Sequence, residues 1–290
     1  MLKIGLVVDE GADLPKSFIE QNQIVTVPIK MEWPDLDPLP GQNTLEKMRE
    51  AEKRGIKSFG KTSQPSPKDF LDAYKKQLEK FDQIIVITVT SKLSGTYNSA
   101  LQAKNILGEE GKKIEVVDTL SATAGEAITV LNALDLINKG LSLEEIVKEL
   151  NRLVPLVKVC ALIEDPKWLE TSGRLKPAIA DWIRKMKKLN VRPLIGFKEG
   201  VLKAIGIKTG VKDVPTALFK EFESKTKNFK DKKIRVLIVH ADNPERADSL
   251  KEMVEKSNEK VEIKFTNIID DVLGILVGPD ALVISWIVLD

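Results

Sequence analysis

Apolar runs of strand length alternate with amphipathic stretches through the first half of the chain. Lys3–Val8, Ile24–Ile29, Gln83–Thr88 and Ile114–Val117 read as strands. Pro15–Gln21, Leu45–Lys53, Pro67–Leu78, Gly95–Leu107, Ser121–Asn138 and Leu143–Leu153 carry helical spacing. Ser142 with Glu145 has the capping-box spacing that opens the last of these helices, and Gly140 ends the one before it. Alternating strands and helices of this kind predict a parallel sheet flanked by helices.

The second half is patterned differently. Val157–Ile163 is a strand, and Pro177–Lys188 repeats apolar residues at Ile179, Ile183 and Met186. Strands Val191–Phe197 and Val201–Ile207 flank Lys198-Glu199-Gly200, a hairpin turn. Helix Val214–Thr226, strand Ile234–His240, helix Pro244–Ser257, strand Val261–Thr266 and the strand-like end Ala281–Val288 follow. A hairpin combined with crossovers implies a mixed sheet. The fold class is therefore α/β, with two α/β domains: residues 1–155 around a parallel sheet and residues 156–290 around a mixed one.

Composition narrows the function. With 290 residues, 42% hydrophobic and 30% charged, the chain reads as globular. Its 45 basic and 43 acidic residues nearly cancel, which gives no reason to expect nucleic acid as a partner. The single cysteine, Cys160, excludes an internal disulfide. One cysteine and one histidine, His240, do not make a zinc site, so no metal or other cofactor is expected. The longest nearly apolar stretch, Ala281–Leu289, is too short to span a bilayer, and the N-terminus lacks signal-peptide character. A cytoplasmic location is expected.

Two polar stretches carry the candidate chemistry. One is Thr62-Ser63-Gln64-Pro65-Ser66-Pro67; the other is Ser91-Lys92-Leu93-Ser94-Gly95-Thr96-Tyr97-Asn98-Ser99-Ala100, after the apolar run Ile84–Val89. Both lead into helices. Hydroxyls beside the free amides of a helix start suit a carboxylate or phosphate, and they equally suit simple helix capping. Asp9, Thr90–Gly95 and Asp118 fall at the carboxyl ends of parallel strands, where open α/β sheets collect ligands. No phosphate-binding glycine motif of the nucleotide-binding kinds is present. Asp9, Asp118 and Arg174 leave open an alternative: an enzyme acting on a small phosphorylated or carboxylated molecule.

The paired spelling of the two stretches resembles the DegV family of bacterial lipid-binding proteins. Val8-Asp9-Glu10-Gly11-Ala12-Asp13-Leu14-Pro15 is similar to the family's opening motif, and Val116-Val117-Asp118-Thr119 to its strand-end motif. Trp168-Leu169-Glu170-Thr171-Ser172-Gly173-Arg174-Leu175 resembles its Gly-Gly-Arg segment, and Leu276-Val277-Gly278-Pro279-Asp280 its His-x-Gly-Pro-Gly segment.

The resemblance implies two α/β domains with a lipid site between and within them. It implies a carrier rather than an enzyme, binding a long-chain fatty acid with no further cofactor. Thr62, Ser63, Ser94 and Gly95 would hold the carboxylate, and the tail would enter a tunnel, mainly in the second domain. Helix Pro177–Lys188 and strands Val157–Ile163 and Val191–Phe197 are candidates to line it, although their pattern suits ordinary core equally. It further implies presentation of the acid to a dihydroxyacetone-kinase-like partner, with Arg174 at the surface meeting partner or phosphate. The chain departs from the pattern at Leu276 for the histidine, Ser172 for the first glycine of the arginine motif, and Asp280 for the last glycine. Arg192-Pro193 keeps the charge of the usual Lys-Pro.

Overall fold

Strand β1 (Ile4–Asp9) is buried at every position, so it has to be covered on both faces. The computed structural model, which describes residues 2–189, 191–211 and 213–289, shows how this is done. After β1 come α1 (Lys16–Gln21), β2 (Val25–Val27), β3 (Lys30–Glu32), α2 (Thr44–Lys53) and β4 (Lys61–Ser63). Then follow α3 (Pro67–Leu78), β5 (Gln83–Thr88), α4 (Thr96–Ile106), β6 (Ile114–Asp118), α5 (Ala124–Asn138) and α6 (Leu143–Leu153).

Strands β2-β1-β5-β6 form a parallel sheet in that order. Successive side chains of a strand point to opposite faces, and the two cores divide accordingly. Leu6, Val8, Ile85 and Ile87 pack with Val130, Ala133, Ile146 and Leu150 of α5 and α6. Val7, Ile84 and Val86 pack with Phe70, Ala73 and Tyr74 of α3 and Ala100 and Ala103 of α4. Each fully buried aliphatic side chain contributes about 1.5–3 kcal/mol. A one-residue slip in any central strand would exchange the two sets, so register is strongly specified.

The second half continues with β7 (Lys158–Leu162), α7 (Lys167–Thr171), α8 (Pro177–Lys188), β8 (Arg192–Lys198), β9 (Val201–Lys208) and α9 (Val214–Thr226). It ends with β10 (Lys233–His240), α10 (Pro244–Ser257), β11 (Val261–Ile268), α11 (Asp271–Val277) and β12 (Leu282–Leu289). The sheet order is β11-β10-β12-β7-β8-β9. It is mixed: β10 pairs parallel with β11 and antiparallel with β12, and β7 is antiparallel to β12 and β8. Cys160, Leu162, Leu194, Val236, Ile238, Leu282 and Ile284 face α9 and α10 in one core. Alternate residues, Val159, Ala161, Ile195, Leu237, Val239 and Val283, are buried on the opposite face.

By its contacts the chain divides into two units. One contains everything up to Lys30, Thr62–Val157 and Glu199–Val201; the other contains Met31–Lys61, Lys158–Lys198 and everything from Leu202 on. The sequence suggests a single cut at 155/156. The excursion Met31–Lys61 leaves and returns through β3 and β4, and its α2 packs on α11. A local hydrophobic pattern carries no signal for such an exchange. The short elements β3, β4, α7 and α11 also escape the sequence reading, being too brief to show a period. Helix α5 starts at Ala124 rather than Ser121, because Leu120 and Thr123 take φ values of 50° and 51°, outside the helical region.

Candidate functional site

Parallel strands share one carboxyl end. The registers Val8↔Ile87 and Thr88↔Asp118 put Asp9, Thr88 and Asp118 side by side at that end. The β5–α4 loop, which carries Ser94 and Gly95, starts between the two aspartates. Asp9 is buried, with Oδ1 accepting from the Gly11 amide at 2.9 Å and Oδ2 from the Val89 amide at 2.8 Å. Burial pushes its carboxyl up to about 7, and the amides of Val89 and Gly11 pull in the opposite direction. Asp118 Oδ1 accepts from the amides of Ser91 at 3.2 Å and Leu120 at 3.0 Å, and its Oδ2 lies 3.3 Å from the Ser91 amide.

Beyond Ser91 the loop turns on Thr90, whose carbonyl accepts from the amides of Leu93 and Ser94. Ser94 Oγ accepts from the Thr96 amide at 3.3 Å and is hydrogen-bonded to Thr96 Oγ1 at 2.7 Å. Ser94 therefore engages the first amide of α4 from one position before the cap, while the cap residue itself, Gly95, makes no side-chain bond. Gly95 is the residue before the helix, at φ −79°, a conformation open to any residue. A Cβ here would lie 1.8 Å from Oε1 of Gln64 and would push the free end of that side chain aside.

Capping does not explain the other stretch. Helix α3 is capped by Ser66, whose hydroxyl accepts from the Asp69 amide at 3.3 Å, while the Asp69 carboxylate accepts from the Ser66 amide and hydroxyl at 2.7 Å each. These two donors hold the Asp69 carboxyl below its ordinary range. Thr62 and Ser63 stand upstream of this box, in β4, with Ser63 exposed. Gln64 joins the two stretches: its side chain covers Gly95, and its Nε2 donates to Ser99 Oγ at 3.1 Å. The structure thus brings the Thr62-Ser63-Gln64 and Ser94-Gly95 stretches together. Sequence reasoning missed the part played by Gln64. Its signal was a long amide side chain directly after two hydroxyls, opposite a lone glycine.

The other two motifs meet in the second unit. The Trp168 ring lies against Gly278, where a Cβ would be 2.1 Å from Cδ1; Trp33 and Phe59 complete the cluster, with centroids 5.8 and 5.3 Å from that ring. Gly278 takes φ 79°, so its backbone favours glycine as well, whereas Gly173, with open space around it, is favoured by its φ of 74° alone. Ser172 has φ −74°, which accommodates any side chain, so this departure from the family spelling is harmless. Asp280 at φ 65° is different. Its carboxylate accepts from Asn243 Nδ2 at 2.8 Å and Arg49 Nη2 at 3.2 Å, and Arg49 also pairs with Asp242.

Arg174 follows α7 in a turn whose Arg174 and Leu175 amides both donate to the Leu169 carbonyl at 3.0 Å. Its side chain is half-buried, Nη1 donates to the Ser172 carbonyl at 3.3 Å, and burial lowers its pKa. Leu276 is buried on α11. His240, at the end of β10, accepts the Asn243 amide on Nδ1 at 3.2 Å, and burial lowers its pKa. Among the described residues no group of three or more His, Cys, Asp or Glu side chains is placed to hold a metal ion, and no helix is long and apolar enough to cross a membrane.

Comparison with known proteins finds relatives along nearly the whole chain. A fatty acid-binding protein of Thermotoga maritima is 31% identical over 267 residues, covering 90% of each chain. A DegV-family protein of Thermus thermophilus, whose structure is described in terms of fatty acid binding, superimposes with a TM-score of 0.83 at 27% identity, over 99% of this chain and 100% of its own. A DegV lipid-binding protein of Thermotoga maritima gives a TM-score of 0.79 at 27% identity, over 100% and 99%. The family model described as uncharacterised protein, DegV family, matches residues 3–289. The chain belongs to the DegV family.

Proposed function

We propose that this protein binds a long-chain fatty acid, with the carboxylate held by Thr62, Ser63, Ser94 and Gly95. The observation that carries this reading is the seating of Gln64 on Gly95, which makes one polar surface of two distant stretches. The relatives named for fatty acid binding support the ligand class. Burying each methylene contributes about 0.8 kcal/mol, so a long tail supplies roughly 10 kcal/mol gross. The head group needs donors, because a buried unpaired carboxylate is expensive. For the tail, the two faces of the second sheet divide the expected lining. Cys160, Leu162 and Leu194 belong to the core with α9 and α10, leaving Val159, Ala161 and Ile195 with Ile183 of α8 as the candidates.

In this reading the protein is a carrier, and a dihydroxyacetone-kinase-like partner phosphorylates the acid it presents, with Arg174 meeting partner or phosphate. The enzyme alternative has less to support it, since the carboxylate oxygens of Asp9 and Asp118 are engaged by backbone amides.

Native mass spectrometry of the purified protein should show a co-purified long-chain acid. Ser94→Ala should weaken its binding by about 1.5–3 kcal/mol, the scale of one hydrogen bond to a charge. Unchanged affinity would leave Ser94 with its bond to the start of α4 alone. Arg174→Ala should leave acid binding intact and abolish partner-dependent phosphorylation; loss of binding itself would count against the partner role.

A further inference from the structure

The β5–α4 loop is gripped from both sides. Asp9, on β1, takes the Val89 amide, and Asp118, on β6, takes the Ser91 amide two residues later. Each aspartate also fixes its own following turn, through Gly11 and Leu120. The grip on Asp9 is costly to maintain. The side chain is 1% exposed and faces the negative charges of Glu10 and Asp13. A buried carboxyl kept in such surroundings needs a role, and its two oxygens serve amides from two different segments.

We propose that Asp9 and Asp118 are positioning residues for the ligand carboxylate, acting through the Val89 and Ser91 amides to set the backbone that presents Ser94 and Gly95. The proposal rests on the fatty-acid reading above. The two aspartates work with different atoms. Asp9 uses one oxygen per amide, so an asparagine there loses one acceptor and turns an N–H₂ toward an N–H. Asp118 serves both Ser91 and Leu120 from Oδ1, so an asparagine there keeps those two bonds and loses only the longer Oδ2 contact to Ser91.

The test measures affinity for a long-chain fatty acid and for its methyl ester, with amide exchange at Val89 and Ser91. Asp9→Asn and Asp118→Ala should each weaken acid binding about tenfold, the scale of one net hydrogen bond. Ester binding should be unmoved, since the ester lacks the charge that the loop would serve. Val89 should lose protection in Asp9→Asn and Ser91 in Asp118→Ala. Asp118→Asn should stay closer to the native protein than to Asp118→Ala in both readouts. Should Asp9→Asn fail to fold, the Ala and Asn variants of Asp118 still decide. Native-like acid binding in Asp118→Ala overturns the proposal, and so does an Asp118→Asn as weak as Asp118→Ala, which would make charge rather than acceptor geometry the cause. Native protein that binds neither acid nor ester overturns the fatty-acid reading and this proposal with it; native binding with indifferent variants overturns this proposal alone.

Discussion

The carboxamide of Gln64 occupies the space into which a side chain on Gly95 would grow, with Oε1 1.8 Å from the Cβ position there. The absence of a side chain at Gly95 lets Gln64 settle there and ties the two hydroxyl stretches together. Backbone strain has no part in it, since Gly95 sits at φ −79°.

Gly95→Ala should displace Gln64 and break its bond to Ser99 Oγ, costing about 1 kcal/mol of stability. In a Gln64→Ala background the same change should cost almost nothing. A double-mutant cycle by urea denaturation reads the coupling. Additive effects would show that the two side chains do not compete for one space.

Asp280 stands where the family spelling has glycine, at φ 65°. Glycine would relieve about 1 kcal/mol of left-handed strain, somewhat less for an aspartate. It would also remove bonds from Asn243 and Arg49, worth about 2 kcal/mol together after allowing for their partial exposure. The bonds outweigh the strain, so Asp280→Gly should destabilise by about 1 kcal/mol. Asp280→Asn tolerates the conformation and keeps Oδ1, so it should be near neutral. A stabilised Asp280→Gly in chemical denaturation would reverse the ranking of the two effects.

Leu276 stands where the family resemblance places a histidine, and a leucine side chain donates no hydrogen bond. Acid binding by the native protein should therefore carry no histidine contribution, and a tightening as pH rises through about 7 would belong to Asp9. Leu276→His should tighten binding modestly and add a second dependence, by the roughly 6.5 reference pKa of histidine. Titrations of both proteins from pH 5.5 to 8 make the comparison. Identical profiles would mean that position 276 does not serve the head group.

His240 is neutral in this fold, because Nδ1 accepts the Asn243 amide. Burial lowers its pKa from the ordinary 6.5, more than Asp242 and Asp248 raise it. The unfolded chain thus takes up the proton first. The stability from neutral His240 is complete above pH 6.5 and is lost as pH falls from there toward the lower folded value. His240→Asn, with its amide oxygen in place of Nδ1, should remove that slope from melting curves measured between pH 5 and 7.5. An unchanged slope would assign the effect to other groups.

Much of this protein can be read from its residues in order. Strands such as Gln83–Thr88 and helices such as Pro67–Leu78 are long and regular enough for period alone to define them, because alternate burial on two faces is a local constraint. The two hydroxyl stretches were visible for the same reason: they interrupt that pattern at the ends of apolar runs. Tertiary structure decided the rest. It chose Ser66 among the hydroxyls of its stretch to cap α3, and it spent the oxygens of Asp9 and Asp118 on backbone amides. It set Met31–Lys61 with the second half of the chain and Gln64 on Gly95. These are contacts between residues tens of positions apart. Period and propensity act over a few residues, so only the folded chain could choose them.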